Sequence, residues 1–257
     1  MSFGTLVYHE IRESTMFHPD QPHPIEVRQS YEDNLPSILF VTLENFTKQM
    51  EYLYENHYHT LTLEELRNFY YNQGVLPEKS ILLTFDDCYQ SIAHYAYPLL
   101  KKFGFHGVAF VVTGWLNRQP SPFRPESSIC LTREELEGMK DVFEYANHTN
   151  LFHTRSSPSV SRMMEEGSLE ISEDLDRCNA NPVIGAKDTF AYPFGLYTGQ
   201  NVALLKEKGF RMAFTTKAGP NGRDTDPLLL NRTVVPYSME MPVFQDIIQA
   251  NLKMKGL

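Results

Sequence analysis

Short, nearly continuous apolar runs alternate with helical patterns along most of this 257-residue chain. In the runs at residues 4–11, 80–85 and 108–112, apolar side chains follow one another instead of alternating with polar ones. Strands of that kind are covered on both faces, and their alternation with helices indicates a parallel sheet. About seven strand–helix units favour a single α/β domain, residues 1–257, folded as a distorted TIM-like (β/α)7 barrel. A doubly wound open sheet is the alternative fold.

Capping motifs predict where several helices begin. Thr42 can cap the first of them. The apolar face of that helix is predicted to consist of Phe46, Met50, Leu53 and Tyr54. Capping boxes at residues 62–65 and 132–135 predict two more helix starts, and residues 228–235 are predicted to form a late strand. Residues 12–37 are rich in proline, histidine and acidic residues and show no period, so we expect a functional or a mobile loop there.

Charge and cysteine content exclude several classes of protein. The net charge of -9 and the lack of a basic block argue against nucleic acid or an anionic membrane surface as a partner. Three cysteines without a CxxC pair provide neither a disulfide framework nor a cysteine zinc site. The apolar runs are too short for a transmembrane segment, and the N-terminus lacks the basic and apolar regions of a signal peptide. The chain as read is therefore expected in the cytoplasm, although removal of a leader would leave the same sequence.

Polar residues follow four of the predicted strands at the point where each strand ends. These pairs are Tyr8-His9, Asp86-Asp87, Asn147-His148 and Tyr192-Pro193. In a parallel barrel, the loops after the strands form the face that carries the active site. We therefore expect these residues to lie together at that face.

Asp86 and Asp87 are adjacent carboxylates at the end of an apolar run. The plainer interpretation is that one of them caps the following helix. Both stay ionised at neutral pH only when a positive charge is close, which favours a metal ion. His148 and His153 lie five residues apart, so their rings cannot share one face of a helix. They are either packed or surface histidines, or they join one carboxylate as three ligands of a divalent ion with a position left open for water.

Three motifs, taken in order, resemble those of a known enzyme family. LLTFDDCYQS resembles the TFDD motif of the polysaccharide deacetylase family, which has the NodB-homology fold of carbohydrate esterase family 4. HTNLFH is similar to the histidine motif of that family, and FAYPFG is similar to its third motif. The segment before the first motif is similar to the branch that deacetylates poly-N-acetylglucosamine, where the two histidines also stand five apart. The resemblance extends from about residue 5 to about residue 235.

The resemblance implies a role for each matching residue. Asp87, His148 and His153 would bind one divalent metal ion, usually zinc and sometimes cobalt or nickel. Asp86 would be the general base that removes a proton from water at the metal. The backbone N–H of Tyr192 would help the metal to hold the oxyanion that forms when the acetyl carbonyl is attacked.

Further residues are expected to line the sugar-binding groove. Pro193 would fix the loop of the third motif or act as a plain turn former. Trp115 could stack on a sugar ring or fill the barrel, and Tyr89 is of the same kind. Thr149 would support a histidine or bond to its own loop.

The chain departs from the family pattern at three points. Cys88 replaces the glycine after the two aspartates, so it is either strained, if positive φ is needed there, or a buried thiol without a role. Ala191 stands where the family often has an arginine that orients the base. No histidine follows His153, so the general acid of many members is missing. His9 is the candidate for that role or for stabilising the transition state; a packed rim histidine is the alternative, and protonated Asp86 is another candidate acid.

These features predict a metal-dependent hydrolase that removes N-acetyl groups from an N-acetylglucosamine polymer or a related cell-envelope glycan. Its partner would be a polysaccharide or oligosaccharide substrate, and the family implies action at the cell envelope or outside the cell. One alternative is an O-acetyl esterase acting on a glycan such as xylan. The other is a catalytically silent glycan-binding barrel, since the arginine and the late histidine are missing.

Overall fold

The computed structural model of the protein describes residues 2–252. The helices are α1 Leu43–Glu55, α2 Leu63–Tyr71, α3 Tyr97–Phe103, α4 Arg133–Glu137, α5 Arg162–Glu165, α6 Ser168–Asn179, α7 Gly199–Glu207 and α8 Met241–Leu252. The strands are β1 Ser2–Tyr8, β2 Glu10–Arg12, β3 Ile25–Glu26, β4 Phe40–Thr42, β5 His59–Thr60, β6 Ser80–Asp86, β7 Gly107–Val111, β8 Ser128–Ile129, β9 Phe143–Asn147, β10 Arg155–Ser157, β11 Val160–Ser161, β12 Ala186–Ala191, β13 Met212–Phe214, β14 Asn221–Gly222 and β15 Thr233–Val234.

The central strands build one mostly parallel sheet that curls into a barrel. Neighbouring strands follow the order β13, β12, β9, β7, β6, β1 and β14, with β15 also paired to β1 and β5 to β6. Leu230 bridges Phe214 in β13, and Thr233, shortly after it, pairs with Leu6 in β1. The segment 230–234 thereby connects the two edges of the sheet. The predicted barrel is confirmed, because an open doubly wound sheet would leave these edges apart.

Alternation along β6 places Asp86 on the inner face of the barrel. Leu82 packs with side chains of β7, β9, β12 and β13, which lie around the sheet. Leu83 and Phe85 pack instead with residues of α1 and α3 on the outside. Because successive side chains of a strand point to opposite faces, Asp86 shares the inner face with Leu82. The apolar strand β6 therefore places the carboxylate of Asp86 inside the carboxyl end of the barrel.

The predicted helix starts are confirmed. Thr42 accepts a hydrogen bond from the N–H of Asn45 at the start of α1. Both capping boxes, at residues 62–65 and 132–135, are formed. The prediction for the apolar face of α1 is wrong for Tyr54, whose side chain is 53% exposed. Gln49 is buried on that face instead, where it accepts a hydrogen bond from the hydroxyl of Tyr8 at 2.9 Å.

Two predictions concern irregular regions, and the first of them needs correction. Only Thr233–Val234 of the predicted strand 228–235 pairs as a strand, because a 3₁₀ turn, Pro227–Leu229, precedes it. The loop 12–37 has no long element, but Ile25–Glu26 in it pairs with Ser128–Ile129. Within the described residues, no helix combines the length and apolar character needed to cross a bilayer.

Candidate metal centre and active site

Asp87, His148 and His153 come together at the carboxyl end of the barrel, where all three are buried. The Oδ1 atom of Asp87 lies 3.5 Å from Nε2 of His153 and 3.8 Å from Nε2 of His148. One possible ligand atom from each residue lies within 4.8 Å of the others. Ligands bound at about 2.0–2.2 Å around one tetrahedral zinc ion stand roughly 3.3–3.6 Å from each other. The three side chains therefore have nearly the spacing that one such ion requires.

The buried polar atoms of this cluster suit a bound cation. Oδ1 of Asp87 is buried, and none of the described residues gives it a hydrogen bond. Burial raises the pKa of Asp87 well above its usual value, and the charge of Asp86 raises it further. Nδ1 of His148 lies 2.8 Å from the carbonyl oxygen of Ala191, so Nδ1 carries the proton and Nε2 offers its lone pair. Burial lowers the pKa of both His148 and His153, which keeps them neutral, as metal ligands must be.

Arg232 fixes the second carboxylate of the pair, Asp86. Its Nη1 donates to Oδ1 of Asp86 at 2.7 Å, and its Nη2 donates to Oδ2 at 2.9 Å. Its Nε donates to the carbonyl of Thr215 at 2.9 Å, and the whole side chain is buried. Burial by itself raises the pKa of Asp86, but the charge of Arg232 and its hydrogen bonds to the carboxylate hold that pKa well below the usual range. The two neighbouring aspartates therefore have opposite environments.

Arg232 is a site residue that the motifs did not predict. It pairs with Asp86, which the resemblance implies would be oriented by an arginine at the position of Ala191, and it comes from the segment between the 3₁₀ turn and β15. A signal was available in the sequence, because this arginine stands within the largely apolar stretch LLLNRTVV. A charged residue in a buried segment requires a partner of opposite charge.

His9 lies beside Asp86, with its Nε2 atom 3.7 Å from Oδ2 of the carboxylate. Its Nδ1 atom is buried without a partner among the described residues. Burial lowers the pKa of His9 to about 4, in spite of the opposing charge of Asp86. His9 is therefore neutral at neutral pH, so it can donate a hydrogen bond but holds no additional proton.

The turn after β6 is strained. Asp87 and Cys88 have positive φ angles, 68° and 61°. The N–H of Cys88 donates to the carbonyl of Asp86 at 2.8 Å, which closes a γ-turn of the rare positive-φ type around Asp87. Cys130 Sγ donates to the carbonyl of Asp87 at 3.3 Å, and Leu131 N–H donates to that of Cys88 at 3.0 Å. Cys88 is thus both strained, as expected at a glycine position, and a fully buried thiol.

The loop that carries the two histidines is held by α6 and by the end of β9. Asp174 accepts hydrogen bonds from the N–H groups of Asn150 and Leu151 at 2.7 and 2.8 Å. Asn147 Oδ1 accepts one from the main-chain N–H of Thr149 at 2.8 Å, whereas the Thr149 hydroxyl is buried without a partner among the described residues. Asp174 was not predicted as a site residue. It lies on the buried face of α6, where a carboxylate among apolar residues was the available signal.

A cavity of about 210 Å³ opens onto these side chains. Its wall includes His9, Asp86, Asp87, Tyr89, Trp115, His148 and His153. Trp115 is 1% exposed, and its indole N–H donates to Gln29 Oε1 at 3.1 Å. Its ring packs edge-on against the ring of His153, with the two ring centroids 4.6 Å apart. Tyr89 is also fully buried. Both aromatic side chains are packed in the wall of the cavity and are not exposed for stacking on a sugar ring.

Pro193 begins a short 3₁₀ turn, Pro193–Gly195, whose other two residues line the cavity.

The structure corrects the expected role of Tyr192. Its N–H donates to the carbonyl of Phe214 at 3.0 Å as part of the pairing between β12 and β13. Its hydroxyl donates to the carbonyl of Leu228 at 3.0 Å. The main chain of Tyr192 is therefore already engaged and cannot hold an oxyanion. Phe194 lines the cavity instead, with a φ of 59° and its ring centroid 4.4 Å from that of His153.

Comparison with known proteins gives consistent matches. A family model described as polysaccharide deacetylase matches residues 73–213, a little over half of the chain. A poly-beta-1,6-N-acetyl-D-glucosamine N-deacetylase of Staphylococcus aureus (strain MSSA476) is 27% identical over 192 residues, covering 72% of this chain and 64% of that protein. A protein of the same name from Staphylococcus epidermidis is 24% identical over 201 residues, covering 76% of this chain and 68% of that protein. The chain thus spans less than two thirds of the Staphylococcus aureus relative.

Solved structures share the barrel. IcaB from Ammonifex degensii superposes with a TM-score of 0.73 at 22% identity, covering 98% of this chain and 97% of that chain. The deacetylase PplD of Streptococcus pyogenes, solved in complex with acetate, gives a TM-score of 0.70 at 22% identity, covering 96% of this chain and 98% of that chain. At these identities the likeness shows a common fold.

Proposed function

Because the chain belongs to the polysaccharide deacetylase family, we propose that it is a metal-dependent hydrolase that removes N-acetyl groups from a glycan containing N-acetylglucosamine. One observation carries the proposal: Asp87 joins two imidazoles, while Asp86 beside it is paired with Arg232. Two adjacent carboxylates in opposite environments are typical of a site in which one binds and the other transfers a proton. The relatives named as poly-beta-1,6-N-acetyl-D-glucosamine N-deacetylases support this class of substrate.

Asp87, His148 and His153 would hold one divalent ion. Zinc is the proposed metal, because one oxygen and two imidazole nitrogens with an open position are a common catalytic zinc set, and cobalt or nickel could replace it. When bound, such an ion polarises the acetyl carbonyl and lowers the pKa of water toward about 7. Asp86 accepts the proton of the attacking water, and Arg232 keeps this carboxylate ionised and aligned until then.

Asp86 is also the proposed acid for the departing amine. It carries the proton taken from water, whereas the neutral ring of His9 holds none to give. His9 contributes a hydrogen bond near the reacting atoms, 3.7 Å from Asp86. In place of Tyr192, we assign the main-chain contact to the oxyanion to the N–H of Phe194, which lies on the cavity wall.

The test is acetate release from β-1,6-linked N-acetylglucosamine oligomers, with and without a chelator and after zinc is returned. We expect activity that depends on the metal and falls at least about 100-fold in Asp86→Asn, because general acid–base catalysis contributes about 10²–10⁴-fold. His148→Ala serves as the comparison, because it should lose both bound zinc and activity, whereas Asp86→Asn should keep its zinc.

Two results would replace this proposal by its alternatives. Faster acetate release from acetylated xylan than from the amide substrates would indicate an O-acetyl esterase. Glycan binding without acetate release from either substrate, at full zinc occupancy, would indicate a silent binding protein.

A further inference from the structure

We infer that Arg155, held in place by Asp33, binds the sugar and sets how the glycan is positioned; this inference rests on the proposed function. Both residues line the cavity that contains the candidate metal ligands. Neither belongs to a family motif. Asp33 lies in the loop 12–37, and Arg155 begins β10, so the pair links two segments that are distant in the chain.

Asp33 has no acceptor capacity left for a ligand. Its Oδ2 accepts hydrogen bonds from Arg155 Nε at 2.9 Å and from the hydroxyl of Tyr31 at 2.8 Å. Its Oδ1 accepts from Arg155 Nη2 at 3.1 Å and from the N–H of Asn34 at 2.8 Å. A carboxylate offers about four lone-pair sites, and all of them are used here. Asp33 is therefore a positioning residue.

Arg155 retains donors for a ligand. A guanidinium has five N–H donors in a planar fork, and Asp33 takes two of them. The side chain is 23% exposed at the cavity. Its guanidinium carbon lies 5.0 Å from the ring centroid of Phe194, and that ring lies 4.4 Å from the ring of His153. The remaining donors are thus held on the same aromatic wall that contacts a candidate metal ligand.

The charge of the pair indicates the class of ligand. Asp33 neutralises Arg155, so the unit offers hydrogen-bond donors without a net positive charge. The hydroxyl and ether oxygens of a neutral sugar match such donors, whereas a phosphate or uronate would meet the carboxylate of Asp33 beside them. A cavity of about 210 Å³ is smaller than sites for drug-sized ligands, roughly 300–1,000 Å³, so its enclosed part suits about one sugar unit.

Another pair in the molecule provides a matched control. Arg67 Nε and Nη2 donate to the two oxygens of Asp188 at 2.9 and 2.6 Å. The side chains of that pair are 19% and 26% exposed, close to the 23% and 24% of Arg155 and Asp33. The control pair joins α2 to β12 outside the cavity. Its loss should reproduce the structural consequences of breaking a bidentate pair, without any effect on a ligand.

The experiment measures KM and kcat for a neutral N-acetylglucosamine oligomer in Arg155→Met, Arg155→Lys, Asp33→Asn and Arg67→Met. Loss of a charge-assisted contact in Arg155→Met should raise KM about 10-fold or more and leave kcat within about 3-fold. Arg155→Lys should recover only part of the loss, because an ammonium lacks the planar fork. Asp33→Asn should raise KM by a smaller factor, and Arg67→Met should change neither constant.

Calorimetric titration of the oligomer into Asp86→Asn, with and without Arg155→Met, measures binding apart from catalysis. Binding that depends on Arg155, together with no acetate release by the zinc-loaded wild type, would support this inference and reject the proposed function. Acetate release with an unchanged KM in Arg155→Met would reject the inference alone. An equal rise of KM in Arg67→Met, or tighter binding of a uronate-containing oligomer than of the neutral one, would also overturn it. Absence of any binding would overturn both.

Discussion

The two ends of the barrel differ in how well their buried polar atoms are hydrogen-bonded. At the carboxyl end, several buried polar atoms have no hydrogen-bond partner among the described residues. They include Asp87 Oδ1, His9 Nδ1, His153 Nδ1 and Thr149 Oγ1. At the other end, Glu144 lies 2.7 Å from His106 Nε2 and accepts from the N–H of Leu63 at 2.9 Å, while Asn251 Nδ2, near Gly4, is buried without a partner among the described residues. Unsatisfied groups in a folded protein cost free energy, so their concentration at one end marks the end that has a function.

Backbone strain shows the same contrast. Three non-glycine residues with positive φ precede strands or follow helices and are exposed: His57, Gln73 and Lys79. The other four lie at the candidate site and are buried or half-buried: Asp87, Cys88, Thr149 and Phe194. A residue in an exposed turn can adopt this conformation with little consequence for its neighbours. At the site, the strained residues carry, flank or contact the candidate ligands, so the strain is concentrated at the candidate metal centre.

The largest expected effect comes from Arg232→Met compared with Arg67→Met. Removal of Arg232 leaves Asp86 as a buried, unpaired carboxylate, which should lower the free energy of unfolding by roughly 3–5 kcal/mol. Arg67 belongs to a pair that is partly exposed to solvent, so its loss should cost about 1 kcal/mol or less. Urea denaturation of both variants checks the difference. Equal costs would mean that the two ends of the barrel are energetically alike.

Asp174→Ala tests how the histidine loop is held. The variant leaves the N–H groups of Asn150 and Leu151 without their carboxylate acceptor, so we expect a loss of about 1.5–3 kcal/mol in stability. We also expect zinc to bind about 10–100-fold more weakly, as found when groups that orient metal ligands are removed. Zinc titration with a competing chelator measures the second effect. Unchanged zinc affinity at reduced stability would show that α6 supports the barrel but not the ligands.

The parallel barrel and the four candidate residues Asp86, Asp87, His148 and His153 could be predicted because each depends on local signals. Apolar runs mark the strands, and the polar residues directly after them mark the carboxyl rim. Arg232 could not be assigned in this way. Its pairing with Asp86 depends on the closure of the barrel across 230–234, which brings together residues far apart in the chain.

The role of Tyr192 could not be predicted from its motif either, for a different reason. A motif predicts which turn reaches the site but not which N–H group of the turn is free. That depends on where β12 stops pairing with β13, and the pairing includes Tyr192. The pairing of Asp33 with Arg155 could not be predicted from the sequence either. Asp33 lies in a loop without a period, and Arg155 lies in a distant segment, β10.

Asp87→Asn tests whether the metal centre costs stability when no metal is bound. Since burial and the charge of Asp86 raise the pKa of Asp87 above its usual 3.8, the folded metal-free protein binds a proton that the unfolded chain releases. The stability contributed by that proton is present below about pH 4 and is lost as the pH rises through the raised pKa. In chelator at pH 7, Asp87→Asn should therefore be more stable than the wild type by roughly 1–3 kcal/mol.

Zinc should reverse that order. It should raise the melting temperature of the wild type and leave that of Asp87→Asn unchanged, because binding stabilises only a state that has the ligand. Thermal unfolding at pH 5 and pH 7, with chelator or zinc, measures both effects. A metal-free wild type as stable as the variant at both pH values would show that the carboxylate carries no cost.

The smallest expected effect separates strain at the site from strain in an exposed turn, through Cys88→Gly and Gln73→Gly. Positive φ costs a non-glycine residue roughly 1–2 kcal/mol, and glycine loses about 0.5–1 kcal/mol through the entropy of the unfolded chain. Gln73→Gly should therefore be neutral or stabilising by up to about 1.5 kcal/mol. Cys88→Gly gains the same relief but loses a buried thiol, so it should be less stable than Gln73→Gly by about 1 kcal/mol. Denaturant unfolding measures the free energy of unfolding of both variants. A Cys88→Gly protein as stable as Gln73→Gly would mean that the thiol contributes nothing to the packing beneath Asp87.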